Sequence, residues 1–270
     1  GEEILAATTA PTRPQVQAPQ PETDSAGLPW WGYSAFFMGV QAVFGIYVLA
    51  VVMLDFRHNF ADPYLSPFFS PLFGAPSVAG FILSPGVFVV WSPLAFRASC
   101  YYYRKSYYRA FFAPPACSME PPGRLKRIRY WGETKFPTVL SNFHRFALYT
   151  AIINVAFLLV DFLNAFHLHD GAQQSHWMVG IGTVILGINV VMLSAYTFGC
   201  HAFRHLIGGS LDCYSCSWTA RTRRSLWERV TVLNERHGLF ALVSLFTVWG
   251  ADVYVRLLTH EVFADPRIVF

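Results

Sequence analysis

Five stretches of this chain are apolar for long enough to cross a lipid bilayer: Trp30 to Asp55, Val78 to Tyr103, Asn142 to Phe166, His176 to Leu206 and Glu235 to Leu258. A hydrocarbon core needs roughly 20 apolar residues per helix. Inside lipid each segment must satisfy its own backbone polar groups, so such runs fold as helices. With 54% hydrophobic and only 13% charged residues, too little charge remains to enclose the runs in a soluble globule. The sequence therefore predicts an all-α membrane protein with five transmembrane helices. Pro85 and Pro93 interrupt the second run, where a kink is expected.

Outside the runs, residues 1–27 are polar and rich in Pro, Thr and Gln, which reads as a flexible N-terminal tail. The first run has neither a basic flank nor a small-residue cleavage site, so it is not a signal peptide. The domain plan is a 1–27 tail, a 28–260 five-helix domain and a short 261–270 tail. Lys and Arg concentrate between the second and third runs (Arg104, Lys105, Arg109, Arg124, Lys126, Arg127, Arg129, Lys135) and between the fourth and fifth (Arg221, Arg223, Arg224, Arg229). On the other side only Arg57, Arg256 and Arg267 stand among Asp55, Asp62, Asp170, Glu261 and Asp265. The positive-inside rule puts both basic loops and the N-terminus in the cytoplasm of a plasma (inner) membrane, with the C-terminus outside. The net charge of +4 is then a topology signal and not nucleic-acid affinity. The segment "DPYLSPFFSPLFGAPS" is expected to lie irregularly at the membrane interface.

The chain also repeats itself. "CYYYR" from Cys100 matches "CHAFR" from Cys200, the Cys117 to Trp131 spacing equals the Cys213 to Trp227 spacing, and "LSNFHRFAL" around His144 matches "LNERHGLFAL" around His237. An internal two-helix repeat follows, placing Cys100, His144, Cys200 and His237 at one depth. Helix bundles build cofactor sites from facing side chains in this way. Any one of these residues alone reads more simply as a buried hydrophobe or an interfacial spacer, but paired recurrence favours a metal centre. Two cysteines and two histidines are the ligand set of a Rieske-type 2Fe-2S cluster. If the repeat axis coincides with that of the cluster, Cys100 and Cys200 share one iron while His144 and His237 share the other.

Five cysteines on a reducing side argue against disulfides. Cys213 and Cys216 form a lone CxxC, weak evidence for zinc, and Cys117 and Cys213 are rival thiolates for the cluster. Arg104 and Arg204, one helical turn beyond each cysteine, are expected on the cysteine face. Arg97, Tyr101, Trp131 and His205 are candidates for binding quinone, which needs an apolar slot with a few donors. His201 and His205 share a helix face, and Asp161 and Asp252 correspond in the repeat and are expected to bond neighbouring helices.

"FRASCYYYRKSYYRAFFAPPAC", "NFHRFALY", "YTFGCHAFRHLIGG" and "NERHGLFALVSLFTVWGADVYVR" together resemble the membrane-anchor, cytochrome b-type SdhC subunit of actinobacterial succinate dehydrogenase, over roughly Trp30 to Arg256. The resemblance implies a subunit of a succinate:quinone oxidoreductase (respiratory complex II). It would dock a flavoprotein and an iron-sulfur subunit on its cytoplasmic face and pass succinate's electrons to membrane quinone, menaquinone in this setting. Five-helix anchors usually hold b hemes through histidines, for which His144, His205 and His237 are the candidates. The cysteines at the matched positions depart from that pattern. A purely structural anchor without a redox centre is the remaining alternative.

Overall fold

The computed structural model describes Pro29 and residues 31–72, 77–78, 81–82, 84–104, 106, 134–135, 138–169, 175–209 and 211–270. Among the described residues four helices are long and apolar enough to cross a membrane: α1 (Gly32–Leu54), a continuous span over Val139–Asn164, α5 (Ile181–Phe198) and α8 (His237–Thr259). Within the second span, a 3-10 turn over Thr138–Phe143 leads into α4 (His144–Asn164). Large apolar side chains such as Ile46, Leu49, Ile153 and Val191 point outward. That is the pattern of a bundle whose surrounding solvent is hydrocarbon.

The second apolar run differs from expectation. Its helical part is α2 (Gly86–Ser99), 14 residues that follow Pro85 and contain Pro93, and then the single turn α3 (Tyr101–Arg104). At 1.5 Å per residue α2 covers about 21 Å, less than a hydrocarbon core of about 30 Å. Before it, Ser77–Val78 and Phe81–Ile82 pair as a small antiparallel ladder. The fourth run divides similarly: Ser175–Gly180 is a strand, α5 follows, and the chain bends at Gly199 and Cys200 before α6 (His201–Gly208). The second basic loop contains an 18-residue helix, α7 (Trp218–Glu235).

The proline- and aromatic-rich segment after α1 is core and not an interfacial strip. Phe60–Ala61 and Tyr64–Leu65 form a hairpin, Pro67–Phe69 a 3-10 turn, and Tyr64, Leu65, Phe68 and Phe69 are buried. The segment can enter the bundle because its polar atoms find partners there: Ser66 donates to Asp252, and the Tyr64 hydroxyl donates to Asp265 at 2.7 Å. Burial, reinforced by Asp265, pushes the Tyr64 phenol up, so it stays protonated as a donor. Residues 261–270 are likewise tied down. Arg267–Val269 pairs with the strand Ser175–Gly180, which also pairs with His167–His169.

α1, α8 and α4 run so that the C-terminal ends of α1 and α8 meet at one end of the bundle. The starts of α4 and α8 lie at the other end, beside the end of α2 and the α5–α6 bend. Both cysteines sit there, so the two ends carry different chemistry.

Candidate metal centre

Both cysteines stand in extended backbone between two helical segments, Cys100 with φ −64° and ψ 128°, Cys200 with φ −66° and ψ 142°. At each bend the cysteine carbonyl accepts the amide of the arginine four residues on, at 3.0 Å in both cases. Each sulfur thereby meets the free amides of the following turn: Tyr102 and Tyr103 at Cys100, Ala202 and Phe203 at Cys200. Orphan amides at the start of a helical turn favour negative charge. Both thiols are nearly inaccessible, at 3% and 2%.

His144 opens α4 and His237 opens α8, which brings their rings to the same level. His144 Nε2 lies 2.9 Å from Cys200 Sγ, and His237 Nε2 lies 3.8 Å from Cys100 Sγ. The nearest atoms thus pair each imidazole with the cysteine of the other half. The aromatic one turn before each cysteine supports a ring: Phe96 stacks on His144 (centroids 4.5 Å, 10° between planes) and Tyr196 on His237 (5.0 Å, 14°).

The His144 tautomer follows from its neighbours. The Ser99 hydroxyl donates to the Ala95 carbonyl at 2.7 Å, so toward His144 Nδ1, at 3.0 Å, it accepts. Nδ1 carries the proton and Nε2 presents its lone pair toward Cys200. Beside Cys200 the matching position is Gly199, and His237 Nδ1 lies buried without a partner. A side chain at 199 has no room, because a Cβ there would sit 2.5 Å from the Ala195 carbonyl oxygen.

Arg97 completes the surroundings. It donates to the Tyr103 hydroxyl, to the Ala241 carbonyl at 3.2 Å and to Ser244 Oγ at 3.0 Å, with its guanidinium 4.7 Å from the Tyr196 ring centre. Among the described residues no carboxylate pairs with this buried cation. Arg204, expected to share the cysteine face, instead lies over Trp227 at 4.2 Å and donates to Thr231. Arg104 is buried and lies over the Tyr101 ring.

The four ligand candidates line a cleft of roughly 1130 Å³ that also admits Tyr101 and His205. His205 Nε2 lies 3.1 Å from His201 Nε2 on the cleft wall. Arg97 does not face this cleft. It borders a separate apolar cavity of about 70 Å³ with Phe44, Phe68, Asn154 and Tyr196. Three of the four quinone candidates are therefore split between two spaces, and Trp131 lies outside the described residues, as does Cys117. Cys213 and Cys216, expected as free thiols, are joined in a disulfide, their Cα atoms 5.7 Å apart in the turn before α7. Cys213 does not line the cleft of the four candidates.

The profile of the actinobacterial succinate dehydrogenase subunit SdhC matches residues 33–261. The chain belongs to this family. It is an SdhC-like membrane subunit of a succinate dehydrogenase complex. A solved chain of the Mycobacterium smegmatis Sdh1 complex in the apo form superposes with a TM-score of 0.75 at 32% identity, over 95% of this chain and 96% of that one. No curated protein matches.

Sequence reasoning missed Phe96, Tyr196 and Ser99. The signal was present as an aromatic four residues before each cysteine, but stacking onto a histidine of another helix is decided only by packing. It also missed the opposite end. There Asp252 is wholly buried, accepting from Tyr47 at 2.5 Å, from Ser66 and from Arg256 at 2.8 Å. Arg256 also pairs with Asp55 at 2.7 Å. Asp161, the repeat counterpart of Asp252, has one buried carboxylate oxygen without a bond.

Proposed function

We propose that this SdhC subunit passes electrons from soluble flavoprotein and iron-sulfur subunits to membrane quinone through a Rieske-type 2Fe-2S cluster held by Cys100, Cys200, His144 and His237. The observation that carries this reading is the convergence of two buried thiols with two imidazole Nε2 atoms beside a buried cation that pairs with no carboxylate among the described residues. Two ferric ions, two sulfides and two thiolates would sum to zero charge and one added electron would make the group singly negative, so a cation there favours the reduced state. Each Nε2 has a thiol within 4 Å, so both ligand types converge on one centre, which supports mixed ligation over a bis-His heme b.

Bound there, such a cluster supplies a one-electron carrier whose neutral imidazoles raise its potential above that of an all-cysteine centre. The protein's own residues do the rest. Ser99 holds the proton on His144 Nδ1, Phe96 and Tyr196 fix the two ring planes, and Arg97 favours the more negative, reduced state. Tyr101 and His205 offer hydrogen-bond donors to a quinone in the cleft.

In this reading the cysteine end faces the cytoplasm, the basic α7 and the loop before α4 receive the soluble subunits, and α2 with its flanking turns completes a five-segment, repeated membrane domain. Reporter fusions after Lys135 and after Arg224 are expected to report cytoplasm. A periplasmic signal from either overturns the orientation.

The decisive test is His144→Ala combined with His237→Ala in the assembled complex. Quinone reduction is expected to be lost while succinate oxidation with a soluble acceptor persists. The reduced complex should also lose an EPR signal of low average g. Full retention of quinone reductase activity defeats the cluster, and loss of a heme absorption band in place of the EPR signal establishes the heme reading.

A further inference from the structure

Where α1 and α8 end, three side chains from two distant parts of the sequence meet. Asp55 and His58 lie in "DFRH" just past α1, and His260 follows α8. His58 Nδ1 is 2.5 Å from Asp55 Oδ1, His260 Nε2 is 3.6 Å from Asp55 Oδ2, and one ligand atom from each of the three residues falls within 4.8 Å of the others. The imidazole rings lie 4.1 Å apart, centre to centre, at 33°. We infer that Asp55, His58 and His260 form a binding site for a divalent transition-metal ion of the zinc class, independent of the cysteine centre.

The spacing suits that ion. Bonds of about 2.0–2.1 Å in a tetrahedron put ligand atoms about 3.3 Å apart, and three ligand atoms already within 4.8 Å of one another, with the two imidazoles against different oxygens of the Asp55 carboxylate, need only small rotations to reach that spacing. Two imidazoles with one carboxylate select zinc-like ions over calcium or magnesium, which prefer all-oxygen shells.

The charge count also favours a cation. With neutral imidazoles, Asp55 and Asp252 face the single guanidinium of Arg256, which leaves one negative charge in excess. Arg57 is turned onto Phe56, its guanidinium 6.0 Å from that ring centre.

The frame around the site is already built. Arg256 holds Asp55 Oδ2 and also donates to the Asp55 backbone carbonyl at 2.7 Å. Arg256 Nη1 also reaches the His58 carbonyl at 3.4 Å. Partners of this kind fix ligand orientation and so favour metal binding. The side chains of Asp55, His58 and His260 are 33%, 44% and 47% exposed, so an ion can enter from water and water can fill the fourth position. A bound ion would staple the end of α1 to the end of α8.

The test uses the purified, assembled complex, freed of loose metal with EDTA and dialysed against zinc. The wild type is expected to hold one more zinc ion per SdhC chain than His58→Ala/His260→Ala, and zinc should raise the melting temperature of the wild type alone. The half-exposed His260→Ala by itself should weaken that binding by at least about tenfold while the complex elutes intact. Equal zinc uptake by wild type and double variant, or undiminished affinity in His260→Ala, overturns the site. Neither measurement depends on quinone reduction, so failure here leaves the cluster reading untouched.

Discussion

The two ends of the bundle each bury an arginine, and they treat it differently. Arg256 is answered in full by protein charge, Asp252 on one side and Asp55 on the other, with Tyr47 and Ser66 taking up the remaining valence of Asp252. Among the described residues Arg97 meets neutral groups, a phenol, a carbonyl and a serine, and its guanidinium lies over Tyr196. A buried ion without a counter-ion costs several kcal/mol. One end therefore pairs its arginine within the chain, with carboxylate in excess, while at the other Arg97 pairs with no carboxylate among the described residues. The first arrangement ties the end of α1 to the end of α8, and the second leaves a positive charge beside the two thiols.

Four substitutions sharpen or break that contrast. Asp252→Ala strands Arg256 in the bundle and should cost about 3–5 kcal/mol, read as a fall in the melting temperature of the complex. Neutralising both partners together, Asp252→Asn with Arg256→Met, should recover most of it. At the other end Arg97→Met should barely touch assembly but lower the midpoint potential of the bound centre. The expected drop is on the order of 100 mV, the Coulomb energy of one charge several ångströms away at an effective dielectric constant near 20. If Arg97→Met destabilises the complex as much as Asp252→Ala and leaves the potential unmoved, the two ends are alike and the contrast fails.

Smaller effects lie at the rim of the cysteine site. Ser99→Ala removes the acceptor that sets the His144 tautomer, so metal occupancy by EPR spin count should correspond to about 10–100-fold weaker binding. Ser99→Thr should restore it. Tyr101→Phe removes one hydrogen-bond donor from the cleft, worth about 0.5–1.5 kcal/mol, and should raise the apparent quinone KM a few-fold with little change in kcat. An unchanged KM moves the quinone away from Tyr101.

Much of this was legible in one dimension. Lipid forces apolar runs into helices, so α1, α4 and α8 lie within a few residues of their runs. That Cys100, His144, Cys200 and His237 gather at one place was visible because the same residues recur in the same order, whereas the contact of each imidazole with the cysteine of the other half was not. The length of α2 was not legible, since hydropathy counts apolar residues whether or not Pro85 and Pro93 let them continue one helix. Nor was the burial of the segment after α1. Its aromatics suit an interface as well as a core, and only the meeting of Ser66 with Asp252 decides between the two.

By itself the sequence determined the medium, the helical class, the family and which two cysteines and two histidines gather at one end, because composition, period and repetition are properties of the chain. Only the tertiary structure decided which ring each imidazole stacks on, which nitrogen it presents, where Arg97 points, and that Asp55 and His58 meet His260. Those choices depend on contacts between helices far apart in sequence, which directional hydrogen bonds and close packing settle only once the bundle has formed.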